Sequence, residues 1–106
     1  MFDRQNQYYV TKGVQEAVPY QLQYFCWQLI LQRAKEKEPT MDYLQIIEFE
    51  LDTEHELLTI VHRQEKPEVK QIYHLHLFEE YRSLSVKKIW AIDDGQAQTM
   101  LLLEEY

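Results

Sequence analysis

The chain has 106 residues and a formal net charge of −7, with 45% apolar and 27% charged residues. This length fits one domain, residues 1–106, and the composition is that of an ordinary globular protein. The 18 acidic residues outnumber the 11 Lys and Arg. This balance argues against nucleic-acid binding, because affinity for the phosphate backbone comes mainly from basic side chains.

Scarce glycine and serine exclude several enzyme classes. The two glycines, Gly13 and Gly95, lie far apart, so the chain has neither a dinucleotide-binding fingerprint nor a P-loop. Ser83 and Ser85 are the two serines, and neither lies in the glycine-flanked turn of a serine hydrolase. We therefore expect no nucleotide cofactor and no catalytic serine.

The single cysteine, Cys26, cannot form a disulfide within the chain and fits a reducing compartment. No apolar run approaches the ~20 residues that span a bilayer. The first seven residues have no apolar stretch typical of a signal peptide. These features predict a cytoplasmic protein that does not bind membranes.

The first predicted elements are a short strand, Tyr8–Thr11, and a helix that begins at Pro19 and reaches about Lys37. Proline suits a first helical turn, and Pro39 lies beyond the end as a stop. One face of this helix has the spacing of a core-facing stripe, formed by Leu22, Phe25, Cys26, Leu29 and Ile30.

A second apolar stripe lies on the opposite side of the same helix and consists of Tyr20, Tyr24, Trp27 and Leu31. A helix that lies on a sheet needs one apolar stripe, so the second must be covered too. Either the segment from Phe2 to Tyr9 folds back over it, or it is an interface, where Tyr and Trp are favoured anchors.

Beyond Pro39 the apolar period becomes two, which predicts five further strands over residues 43–51, 57–64, 68–78, 85–93 and 97–103. The alternation slips at Ile46 and Ile47, which indicates a bulge or a strand buried on both faces. The resulting fold class is α+β, with one principal helix packed on a mostly antiparallel β-sheet of four to six strands.

The candidate for metal binding is the pair His74 and His76, which project from the same face of a strand. If Lys66 and Pro67 form the centre of a hairpin turn, His74 lies opposite Thr59, and His62 points to the other face. A third ligand would then have to be a carboxylate such as Glu79 or Glu80. Two histidines at this spacing are more typical of a half-exposed sheet surface, so we predict no metal site.

Three other groups have ordinary structural interpretations. The acidic segment 52–56 lacks the glycine and ligand spacing of a calcium loop and reads as a charged turn. Asp93 and Asp94 precede Gly95 and read as a hairpin turn. Cys26 lies in the middle of the predicted helix and reads as a buried, inert thiol. We expect no catalytic residue among them.

The predicted hairpin is apolar on both faces. Its outer face combines the two histidines with four apolar residues: Leu57, Val61, Ile72 and Phe78. Such a face favours a second covering layer, either from the chain itself or from a partner.

Three stretches resemble a known family when taken together: residues 9–14 (YVTKGV), residues 19–27 (PYQLQYFCW) and the ending 89–95 (IWAIDDG) with 99–106 (TMLLLEEY). The chain resembles the staphylococcal-type domain of unknown function catalogued under number 960, over nearly its whole length. The resemblance implies a cytosolic, stand-alone bacterial domain and carries no catalytic residue or cofactor.

These observations predict a non-enzymatic protein-interaction or adaptor domain, whose partner is a second copy of the chain or another protein. The alternative is a small-molecule or metal-binding protein, or a small enzyme, with a pocket between the helix and the sheet. A metal-dependent form of that alternative would use His74 and His76.

Overall fold

The computed structural model describes residue 2 and residues 7–106. Its strands are β1 (Gln7–Val10), β2 (Leu44–Asp52), β3 (Leu57–Glu65), β4 (Glu68–His76), β5 (Lys88–Asp93) and β6 (Ala97–Leu102). The helices are α1 (Lys12–Ala17) and α2 (Tyr20–Lys35), with short 3₁₀ turns at Glu79–Tyr81 and Leu103–Glu105.

The six strands form one sheet in the order β1-β6-β5-β2-β3-β4. Every neighbouring pair is antiparallel except β1 and β6, which run parallel. The predicted α+β class, with one principal helix and a mostly antiparallel sheet, is therefore confirmed, at the upper limit of the expected strand number.

Strand β2 is buried on both faces and has no bulge over its pairing with β3. Ile46 and Ile47 are 3% and 1% exposed, and the register with β3 is continuous from Ile46 to Asp52. Ile47 belongs to the main core, whereas Ile46 faces the other side beside Trp90 of β5. The ring of Tyr106 meets Trp90 edge-on at 5.2 Å, which adds cover to that second side.

The main core combines the inward stripe of α2 with alternate residues of four strands. The helix contributes Leu22, Cys26, Leu29 and Ile30 to one buried cluster. The strands contribute Ile47, Phe49, Leu58, Ile60, Ile89, Ala91, Met100 and Leu102. Because these strand residues alternate along the chain, they lie on a single face of the sheet.

Helix α1 was not predicted, and long-range contacts at its beginning account for it. Thr11 caps the helix by accepting a hydrogen bond from the Val14 amide. The Glu105 carboxylate accepts hydrogen bonds from the Thr11 hydroxyl at 2.5 Å and the Gly13 amide at 3.1 Å. A Cβ at Gly13 would lie 2.6 Å from that carboxylate, so glycine permits the close approach.

Within the described residues, no helix is long and apolar enough to cross a membrane.

Truncation of the core stripe should be costly. Leu29 is 9% exposed and belongs to the main core, so we expect Leu29→Ala to lower the free energy of unfolding by ~2–5 kcal/mol. Urea unfolding followed by circular dichroism measures this change. The control is Gln32→Ala on the exposed side of α2, which should change stability by less than ~0.5 kcal/mol. Equal losses of stability in the two variants would contradict the assignment of this stripe to the main core.

Candidate functional site

The most exposed aromatic surface of α2 is the pair Tyr20 and Tyr24, called here the helix tyrosines. Their exposed fractions are 75% and 59%. The two residues are four positions apart, so their side chains are neighbours on one face of the helix. The same helix carries Leu22 and Cys26 in the main core, which fixes the backbone that presents this face.

The other two members of the predicted interface, Trp27 and Leu31, are buried. Trp27 is 8% exposed and Leu31 is 5% exposed. The ring of Tyr8 in β1 lies 5.2 Å from the ring of Trp27. Of the segment proposed to fold back over this stripe, residues 3–6 lie outside the described residues. The stripe is thus divided into an exposed first half and a buried second half.

The opposite flank of α2 makes a matching aromatic contact with the far edge of the sheet. The ring of Phe25 meets that of Tyr73 in β4 edge-on, with ring centres 6.2 Å apart. Strands β1 and β4 are the two edges of the sheet. The aromatic side chains of one helix therefore contact both edge strands.

A buried polar network lies on the face of β2 and β3 that carries their core residues. His62 Nε2 donates to Gln45 Oε1 at 2.7 Å, and Gln45 Nε2 donates to Gln64 Oε1 at 3.0 Å. The Gln64 amide nitrogen donates to the carbonyls of Thr40 and Pro67 at 2.8 and 2.9 Å. The network therefore ties the loop before β2 to the turn between β3 and β4.

Arg33 of α2 brings a positive charge close to this network. The residue is 4% exposed, and its guanidinium donates to the carbonyls of Glu36 and Pro39. Burial, reinforced by the charge of Arg33, lowers the pKa of His62 to about 4. At neutral pH His62 is therefore an uncharged hydrogen-bond donor within the network.

The space beside the network has the size of about one water molecule. It is lined by Arg33, Gln45, His62 and Gln64, among others, and its volume is about 10 Å³. Small-molecule pockets are usually ~300 Å³ or larger. Neither Gln45 nor Gln64 lies in a sequence motif that predicts this network. The pattern that could have found it is the continuation of the inward alternation of β3 from Leu58 and Ile60 into His62 and Gln64.

The predicted hairpin register is confirmed. His74 pairs with Thr59 and His76 with Leu57, whereas His62 pairs with Gln71 on the other face. The Nδ1 atom of His74 lies 3.0 Å from the Thr59 hydroxyl. In the part of the chain that the structure describes, no three His, Cys, Asp or Glu side chains are grouped closely enough to hold a metal ion.

The remaining candidates for chemistry are held in structural contacts. Cys26 is completely buried, and burial raises the pKa of its thiol. The Asp52 carboxylate accepts hydrogen bonds from the backbone and ring of His55, at 3.0 and 2.8 Å. Asp94 accepts from the amides of Gln96 and Ala97, both at 2.9 Å, as a turn residue does.

The outer face of the hairpin is only partly covered. Leu57 and Val61 are half-buried, whereas Ile72 and Phe78 are 53% and 49% exposed. The ring of Phe78 meets that of His76 edge-on at 4.8 Å. This face therefore presents apolar surface at the β4 edge of the sheet.

The two halves of the second stripe should respond differently to truncation. Trp27→Ala removes a buried ring and should lower the free energy of unfolding by ~3–5 kcal/mol. Tyr24→Ala removes an exposed ring and should change it by less than ~0.5 kcal/mol. Urea unfolding of both variants measures the difference. A stable Trp27→Ala variant would show that the contact with Tyr8 contributes little.

The low pKa of His62 makes stability depend on pH. In the unfolded chain His62 titrates at its ordinary value of 6.5, and in the folded chain at about 4. The unfolded state binds the proton first, so stability falls as the pH drops from 6.5 towards 4, by up to ~3 kcal/mol. His62→Gln keeps a hydrogen-bond donor for Gln45 and should remove this part of the loss of stability at acid pH.

Urea unfolding at a series of pH values between 7 and 4 compares the variant with the wild type. The exposed residue His55 provides the matched control, since His55→Gln should lose nearly as much stability as the wild type between pH 7 and 4. If His62→Gln loses stability towards acid as steeply as the wild type, the proposed role of His62 in this pH dependence is wrong.

Comparison with known proteins gives a family without an assigned activity. A crystal structure of a protein of unknown function from Enterococcus faecalis is similar, with a TM-score of 0.83 and 27% sequence identity. The match covers 100% of this chain and 98% of that one. No curated protein matches the chain. The model of DUF960, described as a Staphylococcal protein of unknown function, matches residues 7–105, and the chain therefore belongs to this family.

Proposed function

We propose that the chain is a non-enzymatic protein-interaction domain of the bacterial cytoplasm that docks a partner protein on the helix tyrosines. The observation that carries this proposal is the exposure of Tyr20 and Tyr24, 75% and 59%, on one face of the principal helix. Tyrosine is enriched at protein interfaces because its ring buries a large area while its hydroxyl keeps a hydrogen-bond partner.

Pre-organisation supports this choice of surface. Trp27 and Leu31 continue the same stripe but are buried, so the exposed tyrosines belong to a helix that is held along its length. Rigid aromatic side chains lose little conformational entropy on binding. The helix tyrosines are therefore suited to act as anchors, because Trp27 and Leu31 are buried in the following turns of the same helix.

The alternative, ligand binding between helix and sheet, has weaker support. The space beside the polar network is about 10 Å³, and Gln45, His62 and Gln64 around it already bond to one another and to the backbone. A water molecule fits such a space, whereas a drug-sized or metabolite-sized ligand does not.

The proposal can be tested by photo-crosslinking in the source bacterium. A photoreactive phenylalanine analogue replaces Tyr24 in one variant and the exposed turn residue Thr53 in the control. We expect a discrete adduct from position 24 that position 53 does not give. The adduct is then identified by mass spectrometry, and the crosslinked protein is purified for titration.

The decisive measurement is the affinity of that purified partner for variants of the chain. Removal of an anchor residue costs at least ~1–2 kcal/mol, so Tyr24→Ala should weaken binding by about tenfold or more. Thr53→Ala should bind like the wild type. Equal adducts from positions 24 and 53, or an unchanged affinity of Tyr24→Ala, would contradict the proposal.

A further inference from the structure

Strand β4 forms a long edge of the sheet. It has nine residues, Glu68–His76, and within the described residues it pairs with β3 alone. The other edge, β1, has four residues. The outer side of an edge strand presents backbone N–H and C=O groups that can pair with another strand.

This edge has few of the features that usually prevent strand pairing. The register with β3 is unbroken from Glu65 and Glu68 to Leu57 and His76, so no bulge bends the strand away. Its sequence, EVKQIYHLH, contains no proline and a single lysine, Lys70. Ile72 lies at its centre and is 53% exposed.

We propose that a second copy of this chain pairs with β4 in antiparallel orientation, across a two-fold axis at Ile72, and forms a homodimer with a continuous sheet. This inference goes beyond the proposed function, because the pairing edge is distinct from the helix tyrosines. A two-fold interface requires the same surface to be complementary to itself, and β4 meets that requirement.

The self-complementarity appears when the whole strand is overlapped with its copy. Ile72 then faces Ile72 of the other copy, and Glu68 faces His76 at both ends of the strand. The carboxylate can accept a hydrogen bond from the imidazole in each of these two pairs. Any other symmetric register leaves residues at the strand ends unpaired.

The opposite face of the same pairing is also compatible. Val69 faces Leu75 twice, and both residues are half-buried on the helix-covered side. Gln71 faces Tyr73 on this side, whereas Lys70 faces His74 on the same face as Ile72. Nine paired residues on each strand would form roughly eight to ten backbone hydrogen bonds.

The proposed dimer would present the helix tyrosines of both copies in the same direction. A two-fold axis perpendicular to the sheet keeps the covered faces of both copies on the same side, so both α2 helices lie on one side of the joined sheet. The dimer then presents two pairs of Tyr20 and Tyr24 in the same direction. A partner with two binding sites would gain avidity from this arrangement.

The first test is the solution mass of the wild type, measured by light scattering on a sizing column. Strand pairing alone buries less area than a standard interface, so we expect a dissociation constant in the micromolar range. Dilution from about 500 µM to about 5 µM should take the mass from twice 13.0 kDa towards 13.0 kDa. A wild type that is monomeric at the highest concentration would overturn the proposal.

Two lysine substitutions then locate the interface. Ile72→Lys places like charges opposite each other at the axis and should give a monomer throughout the dilution. Tyr24→Lys makes the same change of charge on the exposed face of α2 and should dimerise like the wild type. A dimer that survives Ile72→Lys, or one that Tyr24→Lys dissociates, contradicts pairing through β4.

An exchange of the terminal pair tests the register even if Ile72→Lys fails to fold. Glu68→His and His76→Glu, each alone, remove two favourable pairs and should weaken the dimer roughly two- to thirty-fold. The double variant, with both substitutions, recreates the pairs in reverse order and should restore the wild-type dissociation constant. Additive losses in the double variant would overturn the proposed register.

Discussion

The structure depends on one hydrophobic core that α2 shares with the strands of a six-stranded sheet. A helix of the length of α2 is ~24 Å long and ~10 Å wide, whereas six strands extend ~24 Å across. The inward stripe reaches the central strands, and aromatic side chains extend the cover on both flanks. Phe25 contacts Tyr73 at one edge, and Trp27 contacts Tyr8 at the other. The second apolar stripe of the helix is therefore partly covered by other segments of the same chain.

Hydrogen bonds replace apolar contact where the apolar cover ends. On the face of β2 and β3 that carries their core residues, Gln45, His62 and Gln64 form hydrogen bonds with one another and with neighbouring carbonyls. Such a network is stabilising only when each buried polar group has a partner, and His62 remains neutral to keep it so. At the beginning of α1, the Glu105 carboxylate likewise accepts hydrogen bonds from a distant segment, namely from Thr11 and Gly13. The hydrogen bond from Thr11 lowers the pKa of this carboxyl group.

The helix tyrosines and the outer edge of β4 are two of the surfaces that stay exposed after these internal contacts are made. Both are held by the contacts that cover the sheet, because Trp27 and Phe25 lie on the helix that carries the tyrosines, and Tyr73 belongs to β4. An exposed aromatic pair on a helix that packs into the core suits docking of a partner, and an uninterrupted edge strand suits pairing with a copy. The proposed dimer would combine the two properties by presenting both helix surfaces on the same side.

The sequence by itself determined the helix, the strands and the hairpin register, because the apolar period and the turn residues are local properties. The pairing of His74 with Thr59 follows from the turn at Lys66 and Pro67, for example. Only the tertiary structure decided that Trp27 is buried while Tyr24 is exposed, although both have the spacing of one stripe. Helix α1 and the role of His62 likewise depend on residues distant in the chain. Periodicity specifies which side chains share a face, whereas contacts between distant segments decide which part of that face is covered.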